Sequence, residues 1–511
     1  MQKVEQIARK FLGFETVTYR CRRNFESYCT TMEAHGLEVT SSSAVKNRVC
    51  VKCLSNSEIL DSKNESLVRD FPAMSIEQKK EVESAFSRLQ DTEVANMIFH
   101  EVNVGKLALY ETLVRFKKVN LKLIDDEKKY FGVKLRQAME TVLISDNVLN
   151  KESPDVVACY SPQYAVTGAF AACCKLRGTR VIFLEGSANV AEKDTHLRLW
   201  DWDKYGLTQP AMSHLAEFES FELSVERKLR ANKQLSMIAK ARSYSVYSSK
   251  AQDISIYNFF NLDSSKKVVL LSMSSYDEVF SAYVIGAFPL EKFKSDVYES
   301  QIEWLRETIK WAEREDIQLI VRPHPREFPN KRESFKSEHA DMWGTLFKDL
   351  PSCVRIDYPE FGFSLYDHLQ QVDVVTTGWS FSGVEAMCAG IPVVTYDSKL
   401  PSYPASIHLS GESEDDYHKN LILALSQGRS EKIRNDGLRW LSFLSERGTA
   451  EIFSPSIMFK VASGKIPRNR YLNFLTRKLF FARHLTADAL PSKRDVERLK
   501  KVLNGIRRDL F

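Results

Sequence analysis

IQLIVRPHPRE (Ile317–Glu327) and VDVVTTGWSFSGVEAMCAGIPVVTYD (Val372–Asp397) decide how this chain is read. In each, a short apolar run stops at a polar turn, and the second turn opens a helix at Val384-Glu385-Ala386-Met387. Apolar runs of this length, bounded by turn residues and separated by helical pattern, predict parallel strands of an α/β sheet. Ligands on such sheets bind beyond the carboxyl ends of the strands. Arg322, His324 and Arg326 follow one strand end, and Ser380, Ser382 and Gly383 follow another. The two turns are therefore expected to meet on one rim and to bind phosphate.

Each turn also has a purely local reading. Ser382 is expected either to offer its hydroxyl and nearby N–H groups to an anion or to cap the helix, with Glu385 completing a capping box. Pro323, Pro325 and Pro329 stiffen the first turn and end its strand. A stiff turn bearing two arginines and a histidine suits phosphate, because arginine gives planar bidentate donors and histidine one or two N–H bonds.

The R-P-H-P turn (Arg322–Pro325) and the S-x-S-G-x-E-A turn (Ser380–Ala386) together resemble the donor half of GT-B-type glycosyltransferases of bacterial surface polysaccharides. That set includes capsule and lipopolysaccharide enzymes, CMP-sugar users such as sialyl- and Kdo-transferases, and polyol-phosphate polymerases. The resemblance covers residues 265–410. It implies an α/β fold of two Rossmann-like domains facing across a cleft, to which the chain's own helical periodicity adds extra N-terminal helices and a C-terminal helical tail. It implies that His324 contacts the nucleotide, that Ser380 and Ser382 bind phosphate, and that Glu385 accepts from a ribose. A CMP-linked sugar is the donor it favours, with no cofactor required.

Composition agrees with a multidomain globular protein. At 511 residues a single core is improbable, and 43% hydrophobic with 27% charged content is ordinary. We expect residues 1–250 as an acceptor-side domain, 251–445 as the donor domain and 446–511 as a basic helical tail. The first contains a loop-rich cysteine region at 21–53 and a helical insertion at 75–150, where Ser75 and Gln78 form a capping-box pattern. No apolar run reaches the length of about eighteen residues that a membrane span needs. No signal-peptide pattern starts at Met1, so a cytoplasmic location is expected. Net charge of +5 is too small to indicate nucleic acid, and no recognition motif accompanies it. Residues 461–511 carry an excess of about nine positive charges, interleaved with Tyr471, Phe474 and Phe480. Such a tail is expected either to rest on an anionic membrane or to pack across the two domains.

The N-terminal half has its own strand ends. DVVACY (Asp155–Tyr160), a helix and RVIFL (Arg180–Leu184) make a βαβ unit. Tyr160, Ser161 and Asn189 are the acceptor-binding candidates. Glu185 is the candidate general base, in a Leu-Glu-Gly setting that partly resembles the acidic-Gly motif of CMP-sialyltransferases, which has two acidic residues where this chain has one. Ser274 and Ser275, after KVVLLS (Lys267–Ser272), are further donor-phosphate candidates; Ser275 and Glu278 also match a capping box. Asp277 or Glu278 is the rival base. Asp201-Trp202-Asp203 has the letters of a metal-binding D-x-D but reads as an aromatic loop after Leu199-Trp200, so no catalytic metal is expected. Cys21, Cys29, Cys50 and Cys53 have spacing that would suit structural zinc, against the alternative of reduced thiols.

Three functions compete on this reading. The first is a glycosyltransferase acting from a nucleotide sugar on a glycan or lipid-linked acceptor, inverting and metal-independent. The second is a sugar-nucleotide epimerase of the same architecture. The third is a non-catalytic nucleotide-sugar or phosphoglycan binding protein.

Overall fold

The computed structural model describes residues 8–9, 13–61, 67–90, 92–192, 196–201, 212, 214–242, 249–287, 293–330, 333–446 and 449–451. The expected tail begins with described residues, Glu446 and β-strand Thr449–Glu451, and beyond Glu451, including Tyr471, Phe474 and Phe480, it lies outside the described residues, as do Trp202 and Asp203.

Fourteen strands occur among the described residues. In chain order they are β1 (Val17–Arg20), β2 (Leu67–Asp70), β3 (Ile98–Phe99), β4 (Val102–Asn103), β5 (Val156–Tyr160), β6 (Arg180–Gly186), β7 (His196–Asp201), β8 (Val268–Ser272), β9 (Gln318–Arg322), β10 (Val354–Ile356), β11 (Val374–Thr377), β12 (Val393–Thr395), β13 (Leu409–Ser410) and β14 (Thr449–Glu451). The chain is an α/β protein built on a six-stranded parallel sheet of order β10-β9-β8-β11-β12-β13. Numbered by chain position this is 3-2-1-4-5-6, the doubly wound order whose direction reverses between the first and fourth strands. All residues of β8, β9 and β11 are buried. On β8, Val268 and Leu270 join one core while Val269 and Leu271 join the core on the opposite face. Burial on both faces is why these strands read as continuous apolar runs.

The N-terminal unit differs from a second doubly wound sheet. β5 and β6 are parallel, as the βαβ reading expects, but β7 and then β14 add antiparallel, giving the order β14-β7-β6-β5. β14 follows helix Glu431–Glu446, so the chain returns from the C-terminal unit to close the N-terminal sheet. Helix Val225–Ala239 precedes residue 250, yet its Ala231 and the nearby Phe218 pack in the C-terminal core with Ile256 and Val268. The boundary near 250 thus divides the chain by sequence more than by packing.

Two expectations for the N-terminal region resolve differently. Ser75 accepts from Gln78 N and the Gln78 side chain reaches back, forming the expected box. The cysteine region is not loop-rich throughout: Cys50 and Cys53 lie on helix Ser43–Asp61. Among the described residues no group of three or more His, Cys, Asp or Glu side chains is arranged to hold a metal ion. All four cysteines are free thiols, and burial raises Cys50.

Helix Tyr276–Val284, directly after β8, joins the two units. Ala282 packs with Tyr110, and Phe280 and Val284 reach the N-terminal core. Among the described residues no helix is long and apolar enough to cross a membrane.

Candidate functional site at the switch point

The reversal in strand order lies between β8 and β11, and the polar turns gather there. Ser272 ends β8 opposite Thr377, which ends β11, and Thr377 Oγ1 donates to Ser272 O at 2.9 Å. Ser382 Oγ lies 2.9 Å from both Ser272 Oγ and Ser380 Oγ. The serine turn and the β8 loop are thereby tied into one polar patch. Ser274 sits in that loop with its backbone N–H donating to Gln301 Oε1 at 2.8 Å. Its hydroxyl is buried and has no hydrogen-bond partner. A buried hydroxyl without a partner is costly, and a ligand oxygen would relieve it.

His324 follows β9, the neighbour of β8. Its Nδ1 accepts from Arg326 N at 3.3 Å, which places the proton of the neutral ring on Nε2. Burial holds its pKa down to about 4, with the nearby Glu327 and Asp277 carboxylates pulling upward. The ring is therefore a neutral N–H donor near neutral pH.

The two arginines of this turn are spent inside the protein. Arg322 is buried, pairs with Asp357 and donates to Phe363 O at 3.1 Å. Asp357 also lies 2.8 Å from His368 Nε2. Arg326 is 3% exposed and contacts Asp277 Oδ2 at 2.9 Å, Glu333 Oε1 at 2.9 Å and Val114 O at 2.6 Å. The expectation that these guanidiniums face the donor phosphate is corrected here: both brace the turn, because buried arginines need carboxylates close by.

Neither expected capping box forms at this rim. Phe381, with no side-chain cap, occupies the N-cap of helix Ser382–Cys388, and Ser382 is its first residue. Ser275 donates to Asp277 Oδ1 at 2.8 Å and does not cap helix Tyr276–Val284. Gly383 has a packing reason, since a Cβ there would stand 2.2 Å from Tyr403 Oη. Glu385 accepts from Tyr366 Oη at 2.8 Å. Burial pushes its pKa up to about 7, with Tyr366 and Arg322 opposing. Tyr366 lies 19 residues earlier, and nothing in the sequence paired it with Glu385.

On the N-terminal side, Tyr160 is 58% exposed, whereas Ser161 is buried with φ +35°. Asn189 is fully buried. Its Oδ1 accepts from Ala191 N at 2.9 Å, and its Nδ2 has no partner. Glu185 faces Arg198 across the β6–β7 pair, with Arg198 Nη2 at 2.8 Å. Glu111, absent from the sequence reading, fills the start of helix Ala165–Leu176 by accepting from Ala165 N at 2.6 Å, and Lys134 neutralises it. The N-terminus of that helix is thus already occupied by a carboxylate. The phosphate-friendly groups lie on the C-terminal rim.

No family model matches the chain, and no curated protein matches it. Solved structures overlap it only loosely. A β-Kdo 2,4 transferase, KpsC of Thermosulfurimonas dismutans, is 16% identical with a TM-score of 0.34, covering 56% of this chain and 79% of its own. A UDP-GlcNAc 2-epimerase of Neisseria meningitidis bound to UDP-GlcNAc is 12% identical with a TM-score of 0.32, covering 84% and 97%. The glycosyltransferase SnogD of Streptomyces nogalater is 11% identical with a TM-score of 0.26, covering 76% and 90%. Similarity at this level carries no argument about activity, and the functional reading rests on the site.

Proposed function

We propose that this chain is a glycosyltransferase that takes a sugar from a nucleotide donor, CMP-linked in the first instance, and delivers it to a surface polysaccharide or lipid-linked glycan. The observation that carries the reading is the serine turn tied to the β8 loop at the switch point of a parallel sheet, with the orphaned Ser274 hydroxyl in that loop and the His324 turn after the neighbouring strand β9.

In this reading Ser274, Ser380 and Ser382 donate to the donor phosphate, and the Nε2–H of His324 donates to a phosphate oxygen. These donors stabilise the negative charge that grows on the phosphate as the sugar leaves. The acceptor hydroxyl oxygen bonds to the anomeric carbon while the anomeric carbon–phosphate oxygen bond breaks, and the nucleotide departs with that electron pair. Glu185 takes the hydroxyl proton, with Arg198 holding its carboxylate in place. Arg322 and Arg326 act indirectly, by fixing the turn that carries His324. Glu385 reaches the ribose only if Tyr366 yields its hydrogen bond. Tyr160 offers an exposed ring to the acceptor sugar, and Ser161 and Asn189 shape the turns beside it. A cytoplasmic enzyme touching an anionic membrane through the basic residues 461–511 fits such an acceptor, on the sequence of that segment alone.

The test is thermal stabilisation of the full chain by CMP, CDP, UDP and GDP, beside His324→Ala and Ser382→Ala. Stabilisation by one nucleotide that both variants lose supports the donor site and names its class. Stabilisation that both variants keep sinks it. With a hydrolysable donor, epimer formation without acceptor would favour the epimerase instead. Unchanged transfer by Glu185→Gln would remove that residue as base.

A further inference from the structure

A second concavity lies behind the serine-turn helix. It encloses about 740 Å³ beside the carboxyl end of helix Ser382–Cys388, between the end of helix Val225–Ala239 and the start of helix Glu431–Glu446. Four cations, Lys240, Lys250, Arg429 and Arg434, line it against the single carboxylate of Asp253. Among the described residues Lys240, Lys250 and Arg429 have no carboxylate within ion-pair distance, and Arg434 has only Glu431 at 3.8 Å.

All four cations are exposed, but Arg429 is anchored at the mouth of the hollow. Its guanidinium donates to Leu369 O at 2.8 Å and Val372 O at 2.9 Å. That fixes its position without an ion pair, and burial lowers its pKa against the pull of Asp373. The two lysines are brought to the same mouth because Ala251 N donates to Ala239 O at 2.8 Å, clamping the arms on which they sit. Four like charges around one hollow repel one another, and a multiply charged anion converts that repulsion into attraction.

We propose that this hollow is a binding site for a phosphate-bearing ligand with two or more negative charges, separate from the switch-point site. Phosphate fits better than a lone carboxylate because it offers several charged oxygens to both bidentate arginines and point-charge lysines. Tyr366 lines the hollow, and its hydroxyl donates to Glu385 on the helix that carries Ser382. A ligand here therefore touches the framework of the first site without entering it.

The probe is inorganic pyrophosphate, titrated calorimetrically into the full chain at low salt. Three proteins are compared: wild type, His324→Ala/Ser382→Ala, and Lys240→Glu/Lys250→Glu. Both lysines are exposed, so the last variant is expected to fold, and its melting temperature checks this. The expected result is that the rim variant still binds pyrophosphate, that the lysine variant loses at least tenfold in affinity at one site, and that the binding weakens with added salt. Wild-type binding by the lysine variant, or no binding by the rim variant, overturns the proposal. Two further arms assign the source. Displacement of pyrophosphate by CMP in the rim variant points to free nucleotide. Phosphatidylglycerol-vesicle binding that the lysine variant loses points to a lipid headgroup.

Discussion

At the scale of single residues, His324 and Glu385 are buried in opposite senses. Burial lowers the folded pKa of His324 from 6.5 to about 4. Between those values the unfolded chain holds more protons, so this contribution to stability is present above 6.5 and is lost as pH falls toward 4. Burial raises Glu385 from 4.5 to about 7. Here the folded chain holds more protons, so stability is lost as pH rises through that window. Denaturant titrations of Glu385→Gln should therefore match wild type near pH 4.5 and exceed it by about 1–3 kcal/mol at pH 8, provided Tyr366 still donates to the amide oxygen. A difference that does not change with pH would refute the burial argument. His324→Ala should remove the opposite slope and reduce kcat/KM for the donor by roughly a hundredfold.

At the scale of elements, two glycines set how closely the serine-turn helix packs. Gly383→Ala would place a methyl 2.2 Å from Tyr403 Oη and 2.9 Å from Tyr403 Cζ. Tyr403 is fully buried by the surrounding chain and its hydroxyl has no partner. Overpacking of this kind costs about 1–3 kcal/mol. Tyr403→Phe alone should be close to neutral, and combined with Gly383→Ala it should recover part of the loss in melting temperature. Gly437, in the middle of helix Glu431–Glu446, is the harder case. An added Cβ would meet Cys388 N at 2.7 Å and Met387 C at 2.8 Å, both backbone atoms. Helix propensity favours alanine over glycine by about 1 kcal/mol, but backbone cannot rotate away. Gly437→Ala should therefore destabilise, and a raised melting temperature would show that the two helices can separate without penalty.

At the scale of the whole molecule, charged groups fasten the two units together. Arg326 reaches Val114 O in the N-terminal unit while binding Asp277 and Glu333 in its own. Lys117, completely buried, donates to Phe328 O and Phe335 O. Glu338 accepts from Lys118, Val119 and Asn120. Within the C-terminal unit, Arg227 of helix Val225–Ala239 pairs with Glu446 and holds that early helix to it. Asp277 is buried, and burial with the neighbouring Glu278 and Glu327 carboxylates raises its pKa against the pull of Arg326. Removing Arg326 strands that carboxylate. Arg326→Ala should cost about 3–5 kcal/mol in chemical denaturation, far more than His324→Ala. A mild loss of stability with a large rise in donor KM would restore the direct phosphate role that its sequence position suggested.

The sequence by itself determined the buried parallel strands β8, β9 and β11 and the polar turns at their ends, though not the edge strand β13 or the strand order. β8, β9 and β11 are buried on both faces, so their apolar character is continuous, and proline or serine at each end marks the turn locally. It also determined the Ser75 cap, which needs only four consecutive residues. Tertiary structure decided how those polar groups are used. The partners of Arg322, Arg326 and Glu385 stand 35, 49 and 19 residues away, and the same side chains could as well have met a phosphate. The antiparallel addition of β7 and β14 and the helical setting of Cys50 and Cys53 were likewise hidden. Whether a charged side chain faces a ligand or a neighbour depends on which distant segment folds against it, and no local pattern of residues encodes that choice.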